Sequence, residues 1–104
     1  MNISSLHAAI QEERIEWRKH ALQRLAERCI LQKDVLEVIS SGEMIEDYPD
    51  DEPCPSALFL AFIMDRPLHV VVAYDESDHR AYIITAYQPS LEFFETDYKT
   101  RRVK

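Results

Sequence analysis

The sequence predicts an α+β domain, with N-terminal helices packed on a C-terminal antiparallel sheet of three to four strands. Two patterns carry this expectation. Apolar residues recur at three-to-four spacing between Leu6 and Ile39, and runs rich in β-branched and aromatic residues follow between Ala57 and Tyr87. The 104-residue length suits one core, hence a single domain over 1–104, and 46% apolar with 30% charged residues and a single glycine is a globular balance.

The elements follow in order. Within SLHAAIQEERIE (5–16), Leu6 and Ile10 lie about one helical turn apart and Ser4 or Ser5 can cap the N-terminus, which predicts a first helix. WRKHALQRLAERCI (17–30) puts Ala21, Leu22, Leu25, Ala26 and Cys29 on one stripe, with His20, Arg24, Glu27 and Arg28 beside or opposite it, which predicts either a second helix or a continuation of the first. QKDVLEVISSG (32–42) reads as a short third helix that stops at Gly42. EMIEDY (43–48) alternates like a half-buried strand, and PDDEPCP (49–55), with three prolines and three acids, reads as an exposed acidic loop. ALFLAFIM, LHVVVAY and AYIITAY are three strands joined by short connections, hence two hairpins. The run Val70–Val72 is apolar on both faces, which marks its strand as central. The tail predicts one helical turn around Leu91 to Glu95 and then a basic end.

Cys29 and Cys54 sit in unlike contexts without companion ligands, so neither a disulfide framework nor a metal site is expected, and no cofactor motif is present. The start MNISSLHAAI lacks the basic and apolar regions of a leader, and the longest apolar run, Ala57 to Met64, is too short to span a bilayer. A cytoplasmic protein with no membrane partner is the expectation.

A net charge of −7 opposes nucleic-acid binding on average, but the charges are segregated. Residues 14–28 hold five basic side chains against Glu16 and Glu27. Lys99, Arg101, Arg102 and Lys104 close the chain without an acid, whereas 34–52 holds eight acids and no Lys or Arg.

Three groups could carry chemistry. His20, Arg24 and Arg28 fall at i, i+4 and i+8, a row in which guanidinium groups can fork onto a phosphate beside an imidazole able to move protons. The same spacing also fits a solvated face with Arg24 paired to Glu27 or Glu16. His69 opens the most buried-looking strand and Tyr87 closes the next. They can line a sheet-face cleft, or equally a backbone-satisfied histidine and a core-covering tyrosine. Arg101 and Arg102 add phosphate contacts if they join that row, and are otherwise an ordinary basic tail. No phosphate-binding glycine loop, HExxH, CxxC pair or GxSxG is present, so nucleotide-dependent, zinc-hydrolytic and serine-hydrolase readings have no support.

The motifs H-A-x-x-R-x-x-x-R, G-E-x-I-E-D-Y-P and I-T-x-Y-x-P, in that order over roughly residues 18–102, resemble the bacterial and archaeal family catalogued as domain of unknown function 4258. That resemblance implies a RelE/BrnT-like toxin-type fold whose members often stand beside an antitoxin, including zinc-finger antitoxins of the MqsA type. Relatives by fold are messenger-RNA interferases that use basic, His and Tyr side chains rather than a metal. It further implies His20, His69 and Tyr87 as catalytic and Arg24, Arg28, Arg101 and Arg102 as RNA-binding positions. The implied partners are a cognate antitoxin protein and RNA. Toxins of this fold are commonly basic, and this chain departs from them in its acidity. Two functions therefore stand as expectations: a metal-independent endoribonuclease, and a non-catalytic protein-interaction module that uses the acidic 43–52 region or a strand edge.

Overall fold

A computed structural model describes residues 1–103; Lys104 of the predicted basic end lies outside the described residues. Helix α1 (Ile3–Gln11) is followed by strand β1 (Ile15–Trp17), helices α2 (Lys19–Glu27) and α3 (Gln32–Ser41), and strands β2 (Glu43–Tyr48), β3 (Ser56–Ile63), β4 (Arg66–Asp75) and β5 (Arg80–Tyr87). The α+β class is as expected. The strand count is corrected from three or four to five, in the order β1-β5-β4-β3-β2, with β1 parallel to β5 and every other pair antiparallel.

The added strand comes from the segment read as the end of the first helix. That helix stops at Gln11 because Glu13 takes φ 60. The Glu13 amide bonds the Ile10 carbonyl and the Arg14 amide bonds the Ala9 carbonyl at 2.9 Å, a left-handed cap of the kind usually closed by glycine. The chain leaves that cap extended, and Ile15 to Trp17 pair with Ala81 to Ile83. Helix α2 ends the same way, with Cys29 at φ 56 and the Ile30 amide on the Leu25 carbonyl at 3.0 Å. Its buried stripe is Ala21 and Leu25 continued by Ile30, while Leu22, Ala26 and Cys29 of the expected stripe are exposed.

Gly42 does end α3, though its φ of −82 is open to any residue. Space is the reason: a Cβ there would stand 2.3 Å from the Val38 carbonyl oxygen and 2.6 Å from that of Leu60. The β3–β4 hairpin turns on Met64 and Asp65, both at positive φ, with no glycine.

Alternation along the strands separates two faces. Phe59, Val70, Val72, Tyr74, Ala81 and Ile83 form one core with Leu6 of α1, Leu25 of α2 and Val35, Val38 and Ile39 of α3. The other face carries no helix. Its cover is the segment after β5, which turns at Ser90–Phe93, buries Phe94 and bridges it back to Arg101. No helix among the described residues is long and apolar enough to cross a membrane.

Candidate functional site

Register across the helix-free face builds three rungs, each two residues, or about 7 Å, from the next. The first is Glu43, Leu60, His69 and Tyr87; the second Glu46, Leu58, Val71 and Thr85; the third Tyr48, Ser56, Ala73 and Tyr82. Chemistry-bearing side chains gather at both ends of this ladder.

At the first rung His69 is fully buried. Its Nε2 lies 2.7 Å from the Tyr98 carbonyl oxygen, which can only accept, so Nε2 carries the proton and donates. Nδ1 is then the acceptor, and the Tyr87 hydroxyl stands 3.3 Å from it. The rings of Tyr87 and Phe94 meet the imidazole edge-on, at 5.3 and 4.7 Å between centroids. Burial is the main cause that lowers the His69 pKa and keeps the ring neutral, with the Tyr98 carbonyl opposing it. Burial likewise raises the Tyr87 hydroxyl, against the pull of Arg101 and Arg28.

The second rung holds the tail. Arg101 forks onto Glu46 through Nε at 2.8 Å and Nη2 at 3.0 Å, and its guanidinium lies 4.9 Å from the centre of the Phe94 ring. Tyr48 donates its hydroxyl to the same carboxylate. The hydrogen bond from Arg101 lowers the Glu46 pKa, and that bond in turn raises Arg101 further. Lys99 reaches Glu43 at 2.9 Å, and Arg102 reaches Glu95 at 3.0 Å and the Leu91 carbonyl. Every described basic residue of the tail is therefore engaged by a carboxylate.

The row on α2 is divided. Arg28 donates to the Ala86 carbonyl at 2.7 Å, which places its charge at the β5 edge one residue before Tyr87. His20 and Arg24 are exposed and make no side-chain hydrogen bond, ion pair or ring contact among the described residues, so they meet neither His69 nor Tyr87. The structure thus brings together His69, Tyr87, Arg28 and Arg101, leaves His20 and Arg24 along the solvent flank of α2, and turns Arg102 to its own tail. Glu46 and Tyr48 were not singled out from sequence, although both lie inside G-E-x-I-E-D-Y-P and their i, i+2 spacing on a strand puts them on one face.

At the third rung, a cavity of about 300 Å³ opens between the sheet and the 51–54 loop. Arg18, Tyr82, Ser56, Asp51 and Asp75 line it, over apolar Val71. The Arg18 guanidinium stacks 5.4 Å from the Tyr82 ring centre. Cys54, also at this cavity, is a free thiol whose pKa burial raises. Among the described residues, no three His, Cys, Asp or Glu side chains are grouped to hold a metal ion.

No curated protein and no solved structure matches the chain. The family described as Domain of unknown function (DUF4258) matches residues 17–88, from the last residue of β1 to the residue after β5, and the chain belongs to that family.

Proposed function

We propose that this chain is a metal-independent endoribonuclease with a RelE-like fold, the toxin of a toxin–antitoxin pair, working in the cytoplasm on the helix-free face of its sheet. One observation carries the reading: a fully buried imidazole, held in one tautomer by a backbone carbonyl, presents its unprotonated Nδ1 to the hydroxyl of the partly buried Tyr87.

In this mechanism Tyr87 touches the substrate and His69 acts through it. The RNA 2′-hydroxyl gives its proton to the Tyr87 oxygen as Tyr87 passes its own to His69 Nδ1. The 2′-oxygen attacks the adjacent phosphorus, and the 5′-oxygen leaves with a proton from water, producing a 2′,3′-cyclic phosphate and a 5′-hydroxyl. Glu46 stabilises the transient imidazolium across the face, while Arg28 and Arg101 supply positive charge to the phosphate. His20 and Arg24, on the helix that Arg28 caps at its C-terminal end, extend the path along which the RNA backbone lies.

A second reading, a non-catalytic module that binds a protein partner, is favoured by the tail's charge balance. Lys99, Arg101 and Arg102 each stand on a carboxylate, which leaves less positive charge for RNA. Purified protein incubated with single-stranded RNA in a chelator, with and without ribosomes, decides between them. Cleavage with cyclic phosphate ends, lost in Tyr87→Phe, is expected of the nuclease. RNA left intact under both conditions would overturn the nuclease and leave the module as the reading.

A further inference from the structure

The third-rung cavity has no part in the proton relay, yet it lies on the same face, about 7–14 Å along the strands from Tyr87. Its lining combines surfaces that seldom meet by accident. One wall is a partly buried aromatic ring with a guanidinium stacked on it, and the floor is apolar. The opposite edge offers carboxylate oxygens. Asp51 takes the Ser56 hydroxyl on Oδ2 at 2.5 Å, and Asp75 takes Ser77 and the Asp78 amide on Oδ1. Asp51 Oδ1 and Asp75 Oδ2 have no hydrogen-bond partner among the described residues, and the Arg18 guanidinium makes no hydrogen bond or ion pair.

A planar, uncharged ligand with N–H donors on its edge fits these surfaces. Such a ligand stacks on the Arg18–Tyr82 pair and donates to the acceptor edge. A phosphate inside the cavity would meet Asp51, Glu52 and Asp75 against one arginine, so the charged end of the ligand must point out, toward Arg28 and Arg101. From this geometry we infer that the cavity is a nucleobase subsite that takes a base bearing an exocyclic amino group, one or two nucleotides from the scissile phosphate. The inference rests on the nuclease reading for its place in the RNA path, but the cavity's preference for such a base stands on its own lining.

Cytidine and uridine test it, because cytosine presents an amino donor at position 4 beside an acceptor at N3, whereas uracil presents a keto acceptor there beside an N3–H donor. Each is titrated into the full chain by amide-resolved NMR, followed by short single-stranded RNAs that carry one cytosine or none. Cytidine is expected to move the resonances of Val71, Ala73, Tyr82 and Ile84, with uridine at least about tenfold weaker, since a hydrogen bond to a charged group is at stake. Arg18→Ala, at an exposed position, should abolish the response while the spectrum stays folded. The cytosine-bearing RNA should perturb the same residues. No response at the cavity, or uridine binding as tightly, overturns the subsite. Cytidine binding without an RNA response overturns its place in an RNA path and leaves a site for free nucleosides. Cleavage without a cavity response removes the subsite and keeps the nuclease, and a cavity response without cleavage does the reverse.

Discussion

Arg101 grips Glu46 with two hydrogen bonds, at 2.8 and 3.0 Å, across 55 positions of sequence, and so fastens the C-terminal tail to the β2 strand. The arginine is more than half exposed, so the bond contributes less than about 1 kcal/mol to global stability once solvent screening is counted. Its effect is local. Glu46→Gln should leave the urea midpoint nearly unchanged while the amides of Glu95 and Arg102, which bond within the tail, exchange markedly faster. A large loss of global stability, with tail exchange unmoved, would contradict this assignment.

His69 sets a pH dependence with a definite sign. Burial lowers its folded pKa below the ordinary value of 6.5, so between those two pH values the unfolded chain binds a proton that the folded chain does not. The stabilisation is fully present above pH 6.5 and declines as pH falls toward the folded value, at no more than about 1.4 kcal/mol per pH unit for one proton. Urea unfolding at pH 7.5, 6.5 and 5.5 should show this decline in the native chain. His69→Gln, which keeps an N–H for the Tyr98 carbonyl, should be flatter over the same interval.

Phe94 is the apolar anchor of the tail, 3% exposed and packed edge-on against His69. Phe94→Ala should cost about 3 kcal/mol in chemical denaturation, the usual loss for deleting a buried ring. Because that ring also shields the imidazole, the variant should shift the His69 NMR titration upward toward 6.5. A loss of stability without that shift would mean that other groups exclude water from His69.

Gly42 tests a close approach rather than a backbone conformation. A methyl group at Gly42 would collide with two carbonyl oxygens that belong to a helix and a strand and cannot swing aside. Gly42→Ala should therefore destabilise by about 1–3 kcal/mol in a thermal melt, although alanine is the better helix former. A neutral result would show that α3 can slide away from β3.

Much of this molecule was legible from one sequence. The third helix, the last three strands and the class all followed from periodicity, because burying one face of a helix or strand leaves a mark every 3.6 or two residues. The ends of the first two helices left no such mark. A left-handed cap usually announces itself by glycine, and here Glu13 and Cys29 fill that position. That concealed β1, and with it the fifth strand and the sheet edge along which Arg28 reaches Ala86. His69 and Tyr87 stood out as strand-end polar residues, whereas Glu46, Tyr48, Arg18 and Tyr82 read as ordinary strand and surface positions until pairing aligned them.

By itself, then, the sequence determined local conformation and which residue types were on hand: an imidazole in an apolar strand, tyrosines at strand ends, basic clusters at 14–28 and in the tail, and an acidic stretch between them. Tertiary structure alone decided which of these meet. Cross-strand register set His69 opposite Tyr87 and Ala73 opposite Tyr82, and the return of the tail over the helix-free face spent its cations on Glu43, Glu46 and Glu95. Such pairings depend on strand order and chain direction, which the period of a pattern does not encode, because every register that keeps apolar residues on one face satisfies the same alternation.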